Sequence, residues 1–139
     1  MIVLDTNVVS EPFRIGPDPR VLAWVEAITD DVALTTITLA ELLAGARRLP
    51  EGRRRSDLVS AIEDATRPYR DTRSLLGFDE DAADAYADIV AVRMASGRPI
   101  SMADAQIAAI CRAHDATLAT RNTGDFEGTG VALVNPWVD

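Results

Sequence analysis

The chain opens Met1-Ile2-Val3-Leu4-Asp5-Thr6-Asn7 (MIVLDTN). Ile2, Val3 and Leu4 form an apolar run of the kind that makes a strand buried on both faces. That run ends directly on Asp5, a carboxylate that is costly to bury unless something positive meets it. What meets Asp5 is the question that decides the fold and the chemistry.

Beyond this opening, short apolar runs alternate with amphipathic stretches. Val21, Leu22, Val25 and Ile28 recur at helical spacing behind the start signals Asp18 and Pro19. Val32 to Thr36 (VALTT) reads as a second strand, and the helix after it places Ile37, Ala40, Leu43 and Ala44 on one apolar stripe. A further helix carries Leu58, Val59 and Ile62, and a short strand is expected around Ser74 to Leu76. From Asp79 the acids crowd a first helical turn, and Gly97 is placed to end that helix; Ala83, Tyr86 and Val90 line one side of it, as core or as a dimer face. Ser101 caps the next helix, which runs to about Ala113. Thr117 to Thr120 (TLAT) and Val131 to Val134 (VALV) complete the strands. No repeat, low-complexity tract or linker interrupts residues 1–139, which predicts a single domain.

Strands alternating with helices imply right-handed crossovers. The expected architecture is α/β, a central, mostly parallel, twisted sheet flanked by helices on both faces. In such sheets ligands bind outside the carboxyl ends of the strands. Asp5 follows the first strand, Glu41 lies a turn into the helix after VALTT, Asp104 a turn into the helix after Ser101, and Asp125 in the loop after TLAT. All four belong to one rim.

Four acids on one rim need an explanation. Two carboxylates about 4 Å apart repel by roughly 4 kcal/mol at an effective dielectric near 20. Several together must take up protons or share a cation. Oxygen ligands without His or Cys favour Mg²⁺, with Mn²⁺ as a substitute. The single histidine, His114, falls near a helix end, and the single cysteine, Cys111, reads as a small core residue that forms no internal disulfide. Taken singly, each acid has a plainer reading: Asp5 as a turn or cap, Asp104 as the acid of a capping box with Ser101, Asp125 as an ordinary loop residue. Glu41 is the most telling, because Ile37 and Ala44 at helical spacing are expected to face inward.

Composition narrows the function classes. With 22 acids against 14 bases the net charge is −8, which argues against gripping nucleic acid by bulk electrostatics. Every base is arginine, the better bidentate phosphate ligand. The absence of lysine, and of a second acid close behind Asp5, disfavours an aspartyl phospho-acceptor or phosphohydrolase. No run of about 18 apolar residues is present and no signal peptide is read, so no membrane role is expected and the cytoplasm is the default. Arg53 to Arg55 read as a solvated helix start, and Trp24 and Trp137, with no basic neighbours in sequence, as packing residues.

Four segments together resemble the PIN-domain family, and more narrowly the VapC-type toxins of bacterial toxin–antitoxin pairs. They are LDTN (Leu4 to Asn7), TLAEL (Thr38 to Leu42), SMADAQIAA (Ser101 to Ala109) and TRNTGDF (Thr120 to Phe126). The resemblance extends to NPW (Asn135 to Trp137) and so covers essentially the whole chain. It implies that Asp5 and Asp104 are the principal metal-binding aspartates and Glu41 the third acid. Many relatives carry a fourth acid after the late strand. This chain has an amide, Asn122, at that place and Asp125 three residues later. Either Asp125 takes the role or three acids suffice; the reading adopted is Asp125, with Asn122 orienting a water or ligand. Thr6 and Asn7 are expected to hydrogen-bond to the carboxylates and hold their rotamers.

The activity so implied is that of a Mg²⁺-dependent endoribonuclease that arrests translation and growth. A cognate antitoxin neutralises it, a homodimer is expected, and operator DNA is reached only through the antitoxin. Arg121, Arg14 or the Arg47/Arg48 pair would position the RNA backbone. The alternative is a non-catalytic PIN-fold partner that acts with a DNA-binding antitoxin in operator occupancy and autoregulation.

Overall fold

β1 (Ile2–Leu4) is the middle strand of the sheet, flanked by β2 (Val32–Thr35) on one side and β4 (Thr117–Ala119) on the other. β3 (Leu75–Leu76) extends the sheet beyond β2, and β5 (Ala132–Val134) beyond β4. The computed structural model describes all 139 residues, and every strand pairing in it is parallel. The helices are α1 (Thr6–Ser10), α2 (Pro19–Glu26), α3 (Thr36–Arg47), α4 (Arg53–Thr66), α5 (Glu80–Ala95) and α6 (Met102–Ala113), with 3₁₀ turns at Glu11–Phe13 and Thr123–Phe126.

Strand pleat divides the core in two. Val3, Ala33 and Leu118 join a cluster with Ile89 of α5 and Ile107 and Ile110 of α6. Leu4, Leu34 and Ala119 turn to the other face, against Val8, Val21, Leu42 and Ile62. Val3 and Leu118 are fully buried, and each such side chain contributes about 1.5–3 kcal/mol by leaving water. β1 is thus apolar on both sides, as its sequence requires. The chain lays down β1, β2 and β3 in one direction and then returns to place β4 on the opposite edge of β1. The strand order therefore reverses at β1/β4, and the crevice outside their carboxyl ends opens where Asp5 and Thr120 follow.

Several expectations are corrected at this level. β2 stops at Thr35 rather than Thr36, because the Thr35 hydroxyl caps α3 by accepting from the Thr38 amide at 3.0 Å. The buried face of α3 is Thr38, Leu39, Leu42 and Ala46, while Ala40, Glu41 and Ala44 are exposed. Leu39 and Leu42 set that face because they bury far more area than alanine, which fits either side. On α5 the core side is Ala82, Ala85, Ile89 and Arg93, and Ala83 is exposed. α1 has five residues, too few to give a periodic signal. Gly97 does end α5, with φ at +69°, a conformation that an L side chain resists. No helix is long and apolar enough to cross a membrane.

Candidate metal centre

Asp5 sits at the head of the crevice with 5% of its surface exposed. It caps α1, accepting from the Thr6 amide through Oδ1 at 2.8 Å. Its Oδ2 accepts from the Thr120 hydroxyl at 2.8 Å and from Asn7 Nδ2 at 3.4 Å. The capping reading and the site reading of Asp5 therefore describe one residue. All three partners are neutral, so the buried charge has no cation beside it. Burial pushes the Asp5 carboxyl up to about 6; the Thr120 and Thr6 hydrogen bonds oppose the rise, and Asp104 and Glu41 add to it.

The register of the sheet builds this arrangement. Leu4 pairs with Ala119, and the Asp5 amide donates to the Ala119 carbonyl at 2.9 Å, so Thr120 arrives beside Asp5. Thr120 is wholly buried, and its oxygen also accepts from the Asn122 amide at 3.1 Å. Asn7 ties the same loop from the other side, its Oδ1 accepting from the Arg121 amide at 3.2 Å. Sequence reasoning missed Thr120; its signal was a hydroxyl residue directly after the apolar run of β4.

Glu41 reaches back toward β1. Thr6 Oγ1 donates to its Oε1 at 2.8 Å and also lies 3.2 Å from the Thr38 hydroxyl. Glu41 is exposed, which overturns the argument that an inward apolar stripe makes it conspicuous. Asp104, in the first turn of α6, is half-buried, and its amide donates to the Ser101 hydroxyl at 3.2 Å. Burial raises the Asp104 pKa first, Asp125 and Glu41 raise it further, and Ser101 and Arg93 oppose. Asp125 is exposed on the 3₁₀ turn Thr123–Phe126. Asn122 stands exposed just before that turn.

The four acids thus share one electrostatic neighbourhood: Asp5 feels Asp104 and Glu41, and Asp104 feels Glu41 and Asp125. In their present rotamers no three of them close into a metal cage. Glu41 is instead engaged by the Thr6 hydroxyl. The donor chemistry suits a hard divalent ion, since every side chain on offer is an oxygen ligand. Cys111 is buried, its thiol pushed up to about 12 mainly by burial, and His114 is at the far end of α6.

The arginines differ. Arg14 is paired with Glu11 at 3.4 Å, and Glu11 is itself buried and accepts from the Asp18 amide at 3.0 Å. Arg121 is exposed, and its guanidinium carbon lies 5.2 Å from the centre of the Trp137 ring. Trp137 is a packing residue as expected, 6% exposed, but the fold gives it the basic neighbour that its sequence context lacks.

The PIN domain profile matches residues 2–131. A VapC ribonuclease, Y4jK, from Sinorhizobium fredii is 44% identical over 138 residues, 99% of this chain and 98% of its own. The toxin FitB of Neisseria gonorrhoeae is 44% identical over 140 residues, spanning all of both chains. The crystal structure of FitAcB from Neisseria gonorrhoeae superposes with a TM-score of 0.92 at 40% identity, covering both chains completely. FitAB bound to an IR36 DNA fragment gives 0.90 at 41% identity, over 99% of this chain and 96% of that one. With its sheet order, its rim of acids and these relatives in agreement, the chain belongs to the PIN-domain family and, within it, to the VapC-type toxins.

Proposed function

We propose that this protein is a divalent-metal-dependent endoribonuclease, with Mg²⁺ as the ion and Mn²⁺ as a working substitute, held inactive by a cognate antitoxin. The observation that carries this reading is Asp5: a carboxylate 5% exposed, without a cationic partner, and near enough to Asp104 and Glu41 to be perturbed by both. An acid so placed is a persistent cost to the fold unless an ion offsets it. The relatives named VapC ribonuclease and FitB toxin support the same activity.

Asp5 and Asp104 would hold the ion, with Glu41 and Asp125 completing its oxygen ligands. Bound there, a divalent ion supplies positive charge to the scissile phosphate and lowers the pKa of the attacking water. The residues of the chain do the rest. Thr120, Thr6 and Asn7 fix the Asp5 carboxylate, and the Thr6 hydroxyl orients Glu41. Arg121, spread on Trp137 beside Asn7, is the arm assigned to the RNA backbone. The groove from Thr6 and Glu41 past Ala40 and Ala44 to Arg48 takes the flanking nucleotides.

The antitoxin is assigned to the apolar cleft of about 350 Å³ between α1, α2 and α4, whose walls include Val9, Leu22, Val25 and Tyr69. Self-association would use the outer side of α5, where Ala83, Ala87 and Met94 are exposed. A second reading, operator occupancy through a DNA-binding antitoxin, is favoured by the DNA fragment bound to FitAB. Operator occupancy of that kind runs through the antitoxin and is compatible with cleavage by this chain.

The test is cleavage of structured RNA by the purified chain. Activity with Mg²⁺ that stops in EDTA and is lost in Asp104→Asn is expected. Undiminished cutting in chelator would refute the metal mechanism.

A further inference from the structure

Arg93 is a buried arginine that the proposed chemistry does not use. It stands in the last turn of α5, 5% exposed, and forms no ion pair. Buried arginines are rare unless paired, and here backbone carbonyls take the place of a carboxylate. Nε donates to the Arg98 carbonyl at 2.6 Å, and Nη1 donates to the carbonyls of Asp125 at 2.9 Å and Glu127 at 2.7 Å. A methionine would fill the same space. A guanidinium fork is needed only where several acceptors must be held at fixed angles.

The Asp125 carbonyl belongs to the turn that carries that acid, and the Glu127 carbonyl follows directly after the turn. Phe126, 1% exposed, anchors the same turn in the core between them. Arg98 straps it from outside, donating to the Gly124 carbonyl and to the Glu127 carboxylate, both at 3.2 Å. The chain therefore spends two arginines on a turn of four residues, Thr123–Phe126, whose only acid is Asp125.

We propose that Arg93, backed by Arg98, is a positioning residue for the metal centre: by holding the carbonyls of Asp125 and Glu127 it fixes the turn that presents the Asp125 carboxylate to Asp104. This rests on the reading that Asp125 is the fourth acid of the site. It assigns the turn a purpose beyond closing the chain, and it makes the end of α5 part of the active-site scaffold.

Mn²⁺ affinity of the full-length protein tests it in a double-mutant cycle. Arg93→Lys keeps the charge but cannot span the three carbonyls as a fork does. It is expected to weaken Mn²⁺ binding about tenfold, the usual scale for groups that orient metal ligands. In an Asp125→Asn background the same change should weaken binding no further. Equal losses in both backgrounds would mark a general structural role and overturn the proposal, as would unchanged affinity in folded Arg93→Lys. Arg98→Ala, at the surface, repeats the test without touching the core; a smaller loss in the same direction is expected, and no loss overturns the proposal. Asp5→Asn separates the two readings. If it binds Mn²⁺ as tightly as the parent, the metal centre itself is wrong and the Arg93 role falls with it. If Asp5→Asn loses Mn²⁺ while Arg93→Lys and Arg98→Ala do not, the centre stands and only the strap is refuted.

Discussion

The Thr120 hydroxyl donates to Asp5 Oδ2 across 2.8 Å although 115 positions separate the two residues. It is the shortest route by which β4 fixes the acid at the end of β1, and both side chains are buried. Thr120→Val would keep the shape and remove the donor. Asp5 Oδ2 would keep only the longer Asn7 contact, and the Asn122 amide would lose its acceptor. The expected cost is about 1–3 kcal/mol of stability. Mn²⁺ affinity should drop about 10–100-fold, and the Asp5 pKa should rise further, because the lost hydrogen bond lowers it. Urea unfolding and Mn²⁺ titration check the first two.

Asp5→Asn should stabilise the metal-free protein at neutral pH while abolishing activity. The Asp5 carboxyl is raised from 3.8 to about 6, so between those values the folded state binds more protons than the unfolded one. Stability therefore falls as pH rises through that window, and above it the full penalty is present, about 3 kcal/mol. The asparagine variant has no such penalty. Its higher melting temperature at pH 7.5 should converge on that of the parent below about pH 4. Calorimetry across that range decides the point, and a parent that gains no stability on acidification from pH 7 to 5 contradicts it.

The two candidate arginines should separate. Arg121→Ala is expected to raise the KM for RNA and flatten its salt dependence, because one phosphate contact is lost. Arg14→Ala should have the smaller effect on KM, since Arg14 is already paired with Glu11. Steady-state cleavage at two salt concentrations distinguishes them. Equal effects would mean that the RNA path passes the other side of the site.

Much of this was legible before the fold. The run Ile2 to Leu4 ending on Asp5 predicted a strand buried on both faces, and the alternation of strands with helices predicted a mostly parallel sheet; the strand order came only with the fold. The positions of Asp5, Glu41, Asp104 and Asp125 at the carboxyl rim followed from that topology. What stayed hidden was set by tertiary register. Thr120 matters because Leu4 pairs with Ala119, and Arg93 because α5 ends against the Thr123–Phe126 turn. Glu41 was singled out on a mistaken premise, since alanines at 40 and 44 fit either face of α3 and the larger Leu39 and Leu42 decide it.

Anomalous diffraction from crystals of the free protein soaked in Mn²⁺ tests the central claim most directly. One peak or two between Asp5 and Asp104, with Glu41 swung off Thr6 toward it, is the predicted result. Saturating Mn²⁺ with no peak in that crevice, in a protein that still cuts RNA, would contradict it.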